Sequence, residues 1–127
     1  MSSVMNRFLR YVQVETTSCE ANECCPSTPG QKVLGERLVK EMREMGVQDA
    51  RMDENGYVYG SIPAKGASDA PAIGLIAHMD TSDAVPGATR PQVIPAYDGG
   101  VIRLQNGVEI SGIDFLDNIC LANLGFQ

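Results

Sequence analysis

No apolar run in this 127-residue chain approaches the roughly 20 residues a membrane-spanning helix needs. Nor is there a cluster of Lys or Arg: ten basic residues stand against sixteen acidic ones, a net charge of −6. That balance disfavours nucleic acid and anionic membranes as partners. The amino terminus has no signal-peptide core, since Arg7 and Arg10 break its short apolar pattern, so a cytoplasmic location is expected. No C-x-x-C pair exists. Cys19, Cys24 and Cys25 crowd one loop and Cys120 stands apart, which leaves a zinc knuckle or thioredoxin-like motif unsupported and favours reduced thiols. Phosphate-cradling G-x-G-x-x-G and Walker loops are missing, and no serine has a nucleophile-elbow setting. Histidine occurs once, at position 78.

What is present is globular in character, 43% hydrophobic and 20% charged, and long enough for one domain or part of one. Met5, Phe8, Leu9 and Val12 share a face at helical spacing, with Ser2 or Ser3 as cap. The stretch from Glu15 to Cys25 reads as a loop. Ser27-Thr28-Pro29-Gly30-Gln31 supplies a hydroxyl cap and a first-turn proline for a helix running to about Met45. Its expected buried stripe is Leu34, Leu38, Met42 and Met45, with Glu36 and Lys40 paired outside and Gly46 as the stop. Val47 to Met52 and Tyr57 to Ile62 flank Glu54-Asn55-Gly56 and predict a hairpin. A second hairpin is expected where Val101–Leu104 and Val108–Ile110 flank Asn106-Gly107. Leu116, Ile119, Cys120 and Leu124 suggest a short amphipathic helix in the tail from Gly112 to Gln127. Together these elements indicate an α/β fold, a mixed sheet flanked by helices.

The chemically informative stretch is Ala72-Ile73-Gly74-Leu75-Ile76-Ala77-His78-Met79-Asp80-Thr81. An apolar run between turn signals reads as a strand buried on both faces, ending in the lone histidine. Open α/β sheets carry their sites at such strand ends. Period-two alternation puts His78 and Asp80 on one side of the chain. There the carboxylate can accept one imidazole proton and leave the other nitrogen free for a metal ion. The pair is half of a metal site at most, because a catalytic zinc takes about three protein ligands. A hydrogen-bonded loop histidine without a metal is the competing reading.

The motifs resemble the peptidase T family, tripeptide aminopeptidases among the dinuclear zinc exopeptidases. The residues that carry the resemblance run in order along the chain: Arg7-Phe8-Leu9-Arg10-Tyr11-Val12, Pro26-Ser27-Thr28-Pro29-Gly30-Gln31, Glu54-Asn55-Gly56 through Ile62-Pro63-Ala64, Pro71 through Ser82, Pro91-Gln92-Val93 and Tyr97-Asp98-Gly99-Gly100. It extends to about residue 110 and fades in the tail. The resemblance implies that His78 ligates one of two zinc ions and that Asp80, counted as a catalytic residue, hydrogen-bonds that histidine. It also implies that residues 1–127 are the amino-terminal part of a metallopeptidase catalytic domain. The bridging aspartate, the glutamate general base, further ligands and a lid domain then lie outside this chain, and Asp114 and Asp117 do not sit in the family's Asp-Asp pattern. On this reading the substrate is a short peptide and the chain alone is inactive, with self-association through exposed sheet edges. Two alternatives stand beside it: a non-catalytic peptide- or protein-binding module, and a piece of a related amidohydrolase of the same superfamily.

Overall fold

The computed structural model describes residues 3–66, 71–85 and 87–111. The chain divides into two compact units, residues 1–91 and 92–127. The first unit holds helix α1 (Ser3–Tyr11), helix α2 (Pro29–Glu44) and strands β1 (Gln48–Met52) and β2 (Val58–Ser61). The second holds β3 (Ile102–Arg103) and β4 (Glu109–Ile110). Helix and strand are both present, as the sequence predicts. Among the described residues, however, the strands pair as two antiparallel hairpins rather than as one mixed sheet.

Helix α2 ends as its sequence dictates. Gly46 takes φ +78°, and the amides of Gly46 and Val47 donate to the carbonyls of Arg43 and Met42 at 3.0 and 2.9 Å, a Schellman closure. Its start differs from expectation. Thr28 is the extended N-cap residue, but its hydroxyl makes no capping bond and donates instead to the Thr17 carbonyl at 2.8 Å. The cap has been exchanged for a tertiary contact. Burial on α2 falls on Gln31, Leu34, Gly35 and Val39, while Met45 is exposed, because the helix meets the hairpin along that face. At Gly35 an added Cβ would lie 2.5 Å from Met52 Sδ and 3.3 Å from Val58 Cγ2, so the missing side chain lets helix and hairpin approach. Glu36 and Lys40 are not among the ion pairs within 4.0 Å of the described residues.

The hairpin follows its turn chemistry. Asp53 Oδ1 accepts the amides of Asn55 and Tyr57 at 3.0 and 2.9 Å, and Gly56 takes φ +86°. A register shift between Gln48 and Arg51 accompanies a positive φ of 54° at Asp49, a bulge at the strand's open end. In the second unit Gly107 takes φ +85° and Asn106 Oδ1 accepts the Val108 amide at 3.1 Å, so Asn-Gly makes the turn it predicts.

Helix α1 is held differently from the apolar docking its pattern suggests. None of its residues is buried, and Phe8 is largely exposed. Contact with α2 runs through the Glu41 carboxylate, which accepts from Arg7 Nε at 3.1 Å, Arg10 Nη2 at 2.7 Å and the Tyr11 hydroxyl at 2.7 Å. Burial, then the bond to Glu41, pushes the Tyr11 phenol up to about 12, while Tyr11 and Arg10 hold the Glu41 carboxyl low. Among the described residues of the unit, the buried apolar ones are Val14, Leu34, Val39 and Ala50.

The strand expected at Ala72–Ala77 is not formed. Residues 71–80 lie outside any strand, and Ile73, Leu75 and Ile76 are 87%, 94% and 101% exposed. A strand buried on both faces needs hydrogen-bonded neighbours on both edges, and no described residue supplies them. The tail helix suggested by Leu116, Ile119, Cys120 and Leu124 lies outside the described residues, as do the possible cap Ser2 and the tail's Asp114 and Asp117.

Candidate metal centre

An exposed apolar run leads directly into the site. His78 Nδ1 and Asp80 Oδ1 stand 3.1 Å apart, with side chains 84% and 45% exposed. The 3.1 Å contact puts the two side chains on one side of the chain, and in the tautomer with the proton on Nδ1 the ring donates to Asp80 while Nε2 keeps a free lone pair. Water screens the pair, so its electrostatic value is small. What the contact can do is geometric: in the Nδ1-protonated tautomer it orients the ring plane.

The chain just after Asp80 is anchored to the loop that follows α1. Thr17 and Thr81 form a parallel bridge: the Thr81 amide donates to the Thr16 carbonyl at 3.2 Å, and its carbonyl accepts the Ser18 amide at 2.9 Å. The Ser18 hydroxyl adds a bond to the same carbonyl at 3.0 Å. Thr16, only 3% exposed, is part of the buried floor beneath this contact. Further on, the Gly87 and Ala88 amides donate to the Glu15 carboxylate at 3.2 and 3.0 Å. The Thr89 amide and hydroxyl both donate to the Val12 carbonyl, at 2.9 and 2.8 Å. None of these contacts is legible in the sequence, because their partners are more than 60 residues apart and follow no periodic pattern.

The donor set fits one metal ligand and its orienting carboxylate. Among the described residues no group of three or more His, Cys, Asp or Glu side chains could hold a metal ion. Cys19, Cys24 and Cys25 are free thiols, and they do not gather on one point. Cys24 Sγ lies 3.4 Å from the Pro26 carbonyl oxygen and Cys25 Sγ lies 3.6 Å from that of Asn55. A shallow groove between α2 and β1, lined by Glu36, Val39, Lys40, Arg43, Glu44 and Met52, shares no residue with the His78 segment. Among the described residues no helix is long and apolar enough to cross a membrane.

No family model matches the chain. Individual sequences do. Over 110 residues the chain is 46% identical to "Peptidase T" of Brevibacillus brevis, covering 86% of this chain and 27% of that relative. It is 44% identical over 109 residues to "Peptidase T" of Bacillus subtilis, covering 85% of this chain and 27% of the relative. Against "Peptidase T" of Photobacterium profundum it is 48% identical over 111 residues, covering 87% and 27%. The class of protein to which the sequence is related is therefore a peptidase. Within that class, the relatives that this stretch resembles are all named peptidase T. It spans about 27% of the length of the curated relatives it matches.

Proposed function

We propose that this chain is the amino-terminal part of the catalytic domain of a zinc-dependent, peptidase T-like aminopeptidase that removes the first residue of tripeptides in the cytoplasm. The observation that carries the reading is the His78–Asp80 pair at 3.1 Å, at the end of the most specific stretch of family resemblance. His78 Nε2 is the ligand atom; Asp80 holds the proton on Nδ1 and keeps the ring from turning. Two zinc ions, when bound, supply Lewis-acid polarisation of the scissile carbonyl and activation of water. Residues 1–127 contribute one ligand and its partner, and the general base lies elsewhere, so this chain by itself hydrolyses nothing.

A chimera tests the reading: residues 1–110 of this chain replacing the matching region of the Bacillus subtilis relative. The chimera hydrolyses a tripeptide in the presence of zinc, and H78A in that background abolishes turnover and loses metal. D80A leaves the ligand atoms in place and costs roughly 10–100-fold in metal affinity or rate. A folded, zinc-loaded chimera that keeps full activity with H78A sinks the proposal. Zinc titrated into the 127-residue chain binds weakly. Tight binding lost with H78A but retained after Cys19, Cys24 and Cys25 are changed to Ser would mean that further ligands lie within the chain.

A further inference from the structure

We propose that Glu15 is a positioning residue for the His78–Asp80 pair, its carboxylate latching the segment after Asp80 onto the loop after α1. The inference rests on the functional reading above and adds to it a residue far from the motif in sequence.

The latch is built from four donors on one carboxylate. Glu15 Oε1 accepts the Thr17 amide at 3.1 Å, the Thr17 hydroxyl and the Gly87 amide at 3.2 Å; Oε2 accepts the Ala88 amide at 3.0 Å. Two of these donors are 72 and 73 residues away in sequence. The bonds to Thr17 and to the Ala88 amide hold the Glu15 carboxyl below its usual range, so it is ionised at neutral pH and grips as an anion.

The receiving segment is shaped for the grip. A Cβ on Gly87 would stand 2.5 Å from Thr17 Oγ1, 2.6 Å from Glu15 Oε1 and 2.7 Å from Thr81 Oγ1. Only a residue without a side chain brings its amide to the carboxylate there. The same spot touches Thr81, the residue after Asp80, so the latch and the Thr17–Thr81 bridge form one contact region. His78 has no wall to rest on, being 84% exposed, and its place in space is set by where the following chain is anchored.

The test uses the sequence's single histidine, whose imidazole resonances need no assignment. In the 15N-labelled chain, E15A raises amide exchange at Gly87, Ala88 and Thr81 by about tenfold, the equivalent of losing a hydrogen bond to a charged group. It also moves the His78 imidazole signals, at fixed pH, toward those of a free peptide. E15Q keeps an oxygen for Thr17 and Gly87 and loses the Ala88 bond, so it shifts the same signals part of the way. Faster exchange at Gly87 and Ala88 with an unmoved Thr81 amide and imidazole would reduce Glu15 to local structure and overturn the proposal. If E15A unfolds, E15Q decides: an unmoved imidazole there overturns it equally. An inactive chimera alongside a responsive imidazole would sink the aminopeptidase reading and leave the latch standing.

Discussion

Replacing Gly30 with alanine puts the architecture of the first unit under direct strain. Gly30 sits in the first turn of α2, with the backbone of Glu15 directly against it. An alanine Cβ would lie 2.9 Å from the Glu15 carbonyl carbon and inside the van der Waals envelope of its oxygen. Both neighbours are backbone atoms, so relief requires moving the chain on one side. Overpacking of this kind costs ~1–3 kcal/mol, whereas alanine in place of glycine returns at most ~1 kcal/mol of helix propensity. Because the clash is with backbone on both sides, the upper part of that cost applies, about 2–3 kcal/mol, and the net expectation is a loss of about 1–2 kcal/mol. With a urea m-value near ~1 kcal/mol/M, suited to a small cooperative unit, the midpoint falls by about 1–2 M. Far-UV circular dichroism against urea reads this directly. Gly46→Ala is a poor control because φ is +78° there; Gly74→Ala, with nothing within 4 Å of its added Cβ, is the right one and leaves the midpoint unchanged. A Gly30→Ala midpoint equal to or above that of the unaltered chain would refute the account of how α2 and Glu15 pack.

Two further outcomes are expected of the chain. Folding raises the Tyr11 phenol from 10.0 to about 12, so its contribution is complete below pH 10 and is lost as pH rises through 12; Glu41, held low, contributes above the ordinary carboxylate range and loses its share as pH falls. Phenolate absorbance should show one tyrosine titrating near 12 that Tyr11→Phe removes, and four phenols ionising together near ~10 would contradict the geometry. The bare apolar run around Leu75 and Ile76 should drive concentration-dependent association, seen by sedimentation velocity, which Ile76→Lys relieves without altering the dichroism spectrum; a chain monomeric at all concentrations would count against it.

Glycine turn and stop signals are legible in the sequence, whereas side-chain partners and buried faces are decided by the rest of the fold. Gly46, Gly56 and Gly107 each mark a positive φ and end or turn an element where expected, because that chemistry is decided within a few residues. The α2 stripe shifted from Met45 toward Gln31 and Val39 because neighbouring elements, not the helix alone, decide which face is covered. Thr28 lost its capping role to Thr17, a partner eleven residues upstream. The run Ala72–Ala77 has a strand's composition but none of a strand's neighbours among the described residues, and composition cannot supply the hydrogen bonds that define a sheet. The juxtaposition of His78 and Asp80 was legible, since period-two spacing is a two-residue property. The Glu15 contacts that anchor it were not.

The bridge between Thr17 and Thr81 also orders events in time. Helix α2 and its hairpin close over residues 29–61 through contacts between neighbours in sequence, whereas the bridge must join residues 64 apart. Loop-closure entropy is met before such a contact returns anything, so the helix–hairpin unit forms early and the anchoring of residues 81–89 forms late. By the same reasoning those residues open before the helix–hairpin pair when the protein fluctuates. The anchoring of the histidine segment is thus assembled after the helix–hairpin pair and given up before it.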